Sequence, residues 1–136
     1  MFRGWTLETD IHQIRALIAQ MRKNCPPPGH PDCTEEDFQI PVRGGEQITL
    51  RVHKPVNRPD RACPGMVIFH GGGFVVGDLE TEAWLCHLFT SLGGVAVDVQ
   101  YRHAPESPFP GPVFDSFDAL KWVSSTPFSS SKLGGF

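Results

Sequence analysis

The sequence predicts an α/β fold: a partly parallel sheet of about four strands with helices on both faces. Three observations predict it. Two short apolar runs, Gly65 to His70 and Val95 to Tyr101, flank a helical stretch from about Leu79 to Leu92, the strand–helix–strand order of a parallel crossover. Upstream, Asp37 to Val42 and Gln47 to Val52 alternate or cluster apolar residues on either side of Arg43-Gly44-Gly45-Glu46, a hairpin-type turn. Downstream, Val113, Phe117, Leu120, Trp122 and Val123 support an amphipathic helix near residues 112–124.

Taken in order, the first element is a helix capped by Thr6 or Thr9 and running to about Lys23. Its apolar positions Ile11, Ile14, Leu17, Ile18 and Met21 fall on one face, the pattern of a packing stripe. A proline-rich connector, Pro26-Pro27-Pro28-Gly29-His30-Pro31, separates it from the hairpin. Asp78 is placed to cap the central helix and Gly93-Gly94 to end it. Residues 1–34 therefore form a helix and linker, residues 35–125 an α/β unit, and residues 126–136 a Ser/Gly-rich tail expected to be disordered.

Composition narrows the function. A chain of 136 residues with 40% hydrophobic content supports one core, and a net charge of -3 without a Lys/Arg cluster speaks against a nucleic-acid partner. No segment approaches a membrane span, and the first residues lack a continuous apolar run, so a cytoplasmic chain is expected. Cys25, Cys33, Cys63 and Cys86 are then expected as thiols, with Cys86 a small buried hydrophobe. Cys25, His30 and Cys33 raise a zinc reading, but the spacing matches no CxxC pair and a fourth ligand is not evident, so no metal is expected.

The chemistry concentrates in His70-Gly71-Gly72-Gly73-Phe74, where an apolar strand empties into three glycines. Without Cβ atoms, such residues take positive φ and let a substrate oxygen approach the main chain, so that backbone N–H groups can be aimed at a developing oxyanion. A tight turn or a phosphate cradle are the competing readings. The dinucleotide spacing GxGxxG fails at Val76, and the P-loop spacing from Gly72 to Gly77 meets Asp78 where a lysine is needed. A carboxylate there repels phosphate.

A second motif, Tyr101-Arg102-His103-Ala104-Pro105-Glu106-Ser107-Pro108-Phe109-Pro110, follows the next strand as a proline-rigid loop. With both motifs in place, residues 35–125 resemble the hormone-sensitive-lipase-like branch of the α/β-hydrolases, which reads HGGGF or HGGGW and then YRLAPE followed by FP. His103 replaces the usual leucine. The resemblance implies a serine esterase or lipase working through an acyl-enzyme on a small-molecule ester, with no cofactor. It implies Gly72 and Gly73 as oxyanion-hole donors, His70 as a brace that moves no proton, and Phe74 and Trp84 as apolar pocket residues. It also implies that the N-terminal helix can lie over the site as part of a cap. Arg102 and Glu106 are expected to pin the second loop as an ion pair.

The family's triad follows the YRLAPE loop, starting with a GxSxG elbow. No serine here sits in such an elbow: Ser91 has Phe89 where the first glycine belongs, and Ser107 and Ser116 have no flanking glycines. His12, His30, His53, His87 and His103 have no nucleophile to pair with and are expected as surface or packing residues. The sequence thus resembles the N-terminal half of an esterase, ending before the elbow and inactive alone. The strand Gly65 to His70 is expected at an open edge, exposing Val67, Ile68 and Phe69 for self-association.

Overall fold

The computed structural model describes residues 10–24, 29–57 and 63–126. Seven elements follow in the order α1 (Ile11–Asn24), β1 (Cys33–Pro41), β2 (Gln47–Pro55), β3 (Gly65–Phe69), α2 (Ala83–Ser91), β4 (Val95–Gln100) and α3 (Gly111–Ser125). The strands form one sheet in the order β1-β2-β4-β3, with β3 parallel to β4 and the other two pairings antiparallel. This is the mixed sheet that the sequence predicts. Gly44 (φ 94°) and Gly45 (φ 84°) turn β1 into β2 through a five-residue connection closed by Val42 N–H to Glu46 O (3.0 Å), where glycines take the positive φ that other residues avoid.

Register sorts the residues onto two faces. Ile40 lies opposite Ile48, Leu50 opposite Val99, and Val52 opposite Val97, so these side chains project together. They join Val95, Tyr101 and Ala119 of α3 in the main core, with Phe38, Trp122 and Val123 packed at its margin. The opposite face is more polar. There Ile68 and Ala96 meet Cys86 of α2, next to a row formed by Arg51, His53 and Asp98. Helices therefore do cover both faces, and Cys86 is fully buried as expected.

Several boundaries move. β1 begins at Cys33 instead of Asp37 and β2 continues to Pro55, because the two strands pair along their whole length, Cys33 opposite Pro55. The charged residues of this extension hide it from an apolar pattern. α2 starts at Ala83 with Glu82 as its N-cap, so Asp78 does not cap it. Asp78 instead closes the preceding turn: its amide donates to Thr81 Oγ1 (2.9 Å) and its carboxylate accepts from the Glu80 amide (2.9 Å). The expected caps Thr6 and Thr9, the residues Pro26 to Pro28 and positions 127–136 of the tail lie outside the described residues.

The apolar stripe of α1 buries nothing fully, and Leu17 and Met21 are 58% and 62% exposed. Polar anchors dock the helix. Arg15 donates to Val75 O (2.8 Å), Ala104 O (2.6 Å) and Glu106 Oε1 (2.7 Å), while Arg22 reaches Asp78 and Thr81. Both arginines sit at the i+4 and i+11 positions from Ile11, on the face that a stripe-based reading assigns to apolar packing.

Among the described residues β3 is a sheet edge, as expected, but its three apolar side chains do not share one fate. Ile68 is buried against Cys86 and Ala96, Val67 is half-buried against the main core, and Phe69 remains 41% exposed. Alternation explains the correction, since successive side chains on a strand point to opposite faces and α2 covers one of them.

Candidate active site

The glycine loop begins where β3 ends, at the carboxyl edge of a parallel strand, the position where open α/β sheets present ligand-binding loops. Its backbone is unusual. Gly72 (φ 127°), Gly73 (φ 61°), Phe74 (φ 65°) and Gly77 (φ 111°) all adopt positive φ. For Phe74 this left-handed conformation costs roughly 1–2 kcal/mol, which surrounding contacts must offset. Gly72 O accepts from the amides of Val75 (3.1 Å) and Val76 (3.1 Å), folding its carbonyl into the turn. The Gly72 and Gly73 amides donate to no group among the described residues. Two N–H groups thus remain available at a loop whose carbonyl side is satisfied.

His70 holds this loop from below. Its Nδ1 lies 2.9 Å from Gly71 O, its ring stacks on Tyr101 at 4.3 Å, and its own carbonyl accepts from Tyr101 Oη at 2.6 Å. Since a carbonyl only accepts, Nδ1 carries the proton of the neutral ring. Burial lowers the His70 pKa from 6.5, against the opposing effect of the Gly71 contact, and burial likewise lowers that of His103. His103, the departure from the usual leucine, packs edge-on against both His70 (5.3 Å) and Tyr101 (5.3 Å). The three rings form a neutral platform under the loop.

The platform joins the two motifs. Ala104 N donates to Phe74 O (2.9 Å), and Arg15 clamps a carbonyl from each loop, Val75 O and Ala104 O. The expected Arg102–Glu106 pair does not form: Arg102 grips Asp115 of α3 through Nε (2.8 Å) and Nη2 (2.7 Å), and Glu106 pairs with Arg15. Asp115 also accepts from the Arg102 amide (3.0 Å) and is fully buried, so it satisfies a backbone group that a surface pair could not reach. Hydrogen bonds to Arg15 hold the Glu106 pKa below its usual carboxylate value.

Gly77 is a supporting residue that spacing arguments alone treat as a failed phosphate loop. A Cβ there meets His70 Nδ1 at 2.2 Å and Gly71 O at 2.6 Å, so the glycine is what lets the chain return beneath His70. Phe74 stands at the loop with its ring tilted 6.0 Å from Tyr101, and Trp84 lies on the open side of α2. They are 51% and 63% exposed, and no described ring contact joins them. A cleft of about 420 Å³ beside the second loop is lined by Arg15, Glu46, Arg102, His103, Glu106 and Ser107. None of the four motif residues lines it, and its charged walls do not suit an acyl chain.

The family model of the α/β hydrolase fold matches residues 66–134. The chain belongs to that family, in its hormone-sensitive-lipase-like esterase branch. Relatives of this α/β-hydrolase include Esterase LipI of Mycobacterium tuberculosis, 36% identical over 121 residues, covering 88% of this chain and 37% of the relative. Carboxylesterase NlhH of the same organism is 31% identical over 132 residues, covering 96% and 40%. Among solved structures, an esterase of Pyrobaculum calidifontis superposes with a TM-score of 0.73 at 37% identity, covering 90% of this chain and 39% of that one. A thermophilic carboxylesterase from a metagenomic library gives 0.74 at 35% identity, with 88% and 40% covered. The α/β-hydrolase chain described here therefore spans about 37–40% of the length of these curated relatives. No helix among the described residues is long and apolar enough to cross a membrane.

Proposed function

We propose that this segment supplies the oxyanion-stabilising half of a carboxylic-ester hydrolase that works through an acyl-enzyme. In this reading the Gly72 and Gly73 amides donate to the tetrahedral intermediate's oxygen, where a preorganised donor acts without reorganising during the reaction. His70 and Gly77 hold the loop. Phe74 and Trp84 offer apolar surface to the acyl or alcohol group of a small ester. The observation carrying the reading is the pair of unpartnered amides on a loop braced by His70 and Tyr101. Cys33, Cys63 and Cys86 are unpaired, which fits a reducing compartment such as the cytoplasm.

The 136 residues contain no nucleophile elbow, so the segment alone is expected not to turn over an ester. Removing triad members elsewhere leaves only residual catalysis from binding and the oxyanion hole. A fluorophosphonate serine-hydrolase label and a p-nitrophenyl acetate assay check this. Labelling of a single serine, with turnover lost on its substitution, overturns the expectation.

A second reading has its own observation. Among the described residues the outer edge of β3 is unpaired and Phe69 on it is 41% exposed, so we propose that the chain pairs with a second copy of itself or with another chain there. Phe69→Lys is expected to lower self-association in light scattering, because an edge charge opposes strand pairing. Ile68→Lys is no substitute: it places a charge in the core and unfolds the chain instead. A Phe69→Lys chain that associates as strongly as the unaltered one removes the edge as its cause.

A further inference from the structure

Far from the glycine loop, four side chains with metal-binding chemistry converge on the α2 face of the sheet. We propose that Cys33, His53 and His87, with Glu35 as fourth donor, form a structural site for a zinc-class divalent cation that ties β1, β2 and α2 together. The ligand atoms of the first three lie within 4.8 Å of one another. Around tetrahedral zinc, donors at about 2.0–2.3 Å from the ion stand roughly 3.3–3.8 Å apart, so modest side-chain movement closes the set. Glu35 already centres the cluster, its Oε1 lying 2.7 Å from His87 Nε2 and 3.5 Å from His53 Nδ1.

His53 supplies the independent observation. Its side chain is 0% exposed, and neither ring nitrogen has a hydrogen-bond partner. Buried imidazoles without partners are rare, because nothing replaces the water they gave up. A cation satisfies one nitrogen. On the inner side, His53 also groups with Asp98 and Cys86 within 4.8 Å, and both carboxylate oxygens of Asp98 are buried without a partner. A carboxylate behind a ligating histidine is the usual orienting partner of that ligand. Arg51 approaches the cluster, 3.8 Å from Glu35 Oε2, but Asp37 (2.7 Å) and Glu80 (2.6 Å) hold its guanidinium.

The placement makes the site structural. His53 pairs with Ala96 near the start of β4, whereas the glycine loop leaves β3 beyond Phe69, which pairs with Val99 near the end of β4. Cluster and loop thus occupy opposite ends of the sheet, and the site is independent of the ester chemistry proposed above. Cys33 thus groups with partners from β2 and α2, while Cys25 of the sequence-based zinc reading lies outside the described residues.

The test uses the 136-residue chain, stripped with chelator, kept reduced and titrated with Co²⁺ and then Zn²⁺. The expected result is one ion per chain by equilibrium dialysis, a cobalt–thiolate charge-transfer band displaced by zinc, and a rise in melting temperature on metal addition. Cys33→Ser is expected to abolish the band, and His87→Gln to weaken binding by about tenfold or more. Cys33 is half-buried, His87 is buried with Nε2 on Glu35, and both replacements conserve size. The metal-free melting temperature of Cys33→Ser should stay near that of the unaltered chain and that of His87→Gln should fall only slightly with its Glu35 contact, while the metal-induced rise disappears in both. Cys25→Ser and Cys63→Ser should leave band and stoichiometry intact. Binding well below one ion per chain, or a band that survives Cys33→Ser, overturns the proposal.

Discussion

Replacing Gly72 with alanine, in this segment joined to the triad-bearing portion of a related esterase, is expected to lower kcat for a short p-nitrophenyl ester by roughly a hundredfold or more, with KM changed far less. A Cβ at this position falls 2.0 Å from Val76 O and 2.6 Å from Val76 C, both backbone atoms, at a φ of +127°. No rotamer relieves such a contact. The turn must open, and with it move the amides that are proposed to meet the oxyanion, an interaction that strengthens only in the transition state. Sequence reasoning treats Gly72 and Gly73 as equals, but the structure separates them. Gly73 has φ +61° and nothing within 4 Å of an added Cβ, so Gly73→Ala meets only the left-handed backbone cost and is expected to lose less than about tenfold. Steady-state kinetics on both variants check the contrast. Equal, small losses would mean that the loop is only a turn.

The largest effect on stability is expected at Asp115. Asp115→Ala should lower unfolding free energy by about 2–3 kcal/mol, because removing this buried acceptor strands the Arg102 amide and leaves the half-buried guanidinium unpaired. Asp115 accepts three hydrogen bonds from Arg102 alone, from the amide, Nε and Nη2, with no side-chain exposure of its own. Loss of this grip frees the start of the Tyr101–Pro110 loop, which carries His103 and Ala104 against the glycine loop. Asp118 is the control. It accepts the same three hydrogen bonds, from the Arg43 amide, Nε and Nη2, which pull its pKa down to about 2, yet the Arg43 side chain is 42% exposed and its own is 15% exposed, so water replaces the lost partner and Asp118→Ala should cost less. Urea unfolding of both variants, with m-values unchanged, measures the difference. Equal midpoints for the two contradict the role given to the burial of Asp115.

What could be read from the sequence follows from where each signal is stored. The strand–loop–helix order and the glycine motif are contiguous in sequence, and backbone amides need no partner to announce them. Arg102 shows the limit: a proximity argument pairs it with Glu106 in its own loop, whereas folding brings Asp115 to it from α3. Asp78 looks like a helix cap by position but serves a turn, because α2 begins only at Ala83. Arg15 and Arg22 lie within the apolar stripe of α1, where two cations on an otherwise apolar face are the signal that the helix docks on carbonyls and carboxylates. The Cys33–Glu35–His53–His87 cluster has no linear signature. Register between β1 and β2 sets Glu35 opposite His53, and α2 then delivers His87.

The central claim is that the Gly72 and Gly73 amides face the reacting centre of an ester hydrolase. A crystal structure of the triad-bearing chain, inactivated at its serine by a phosphonate ester, tests it most directly, because the phosphoryl oxygen occupies the place of the oxyanion. Both amide nitrogens are expected at about 2.7–3.1 Å from that oxygen. A phosphoryl oxygen held by other donors, with both glycine amides turned away, contradicts it.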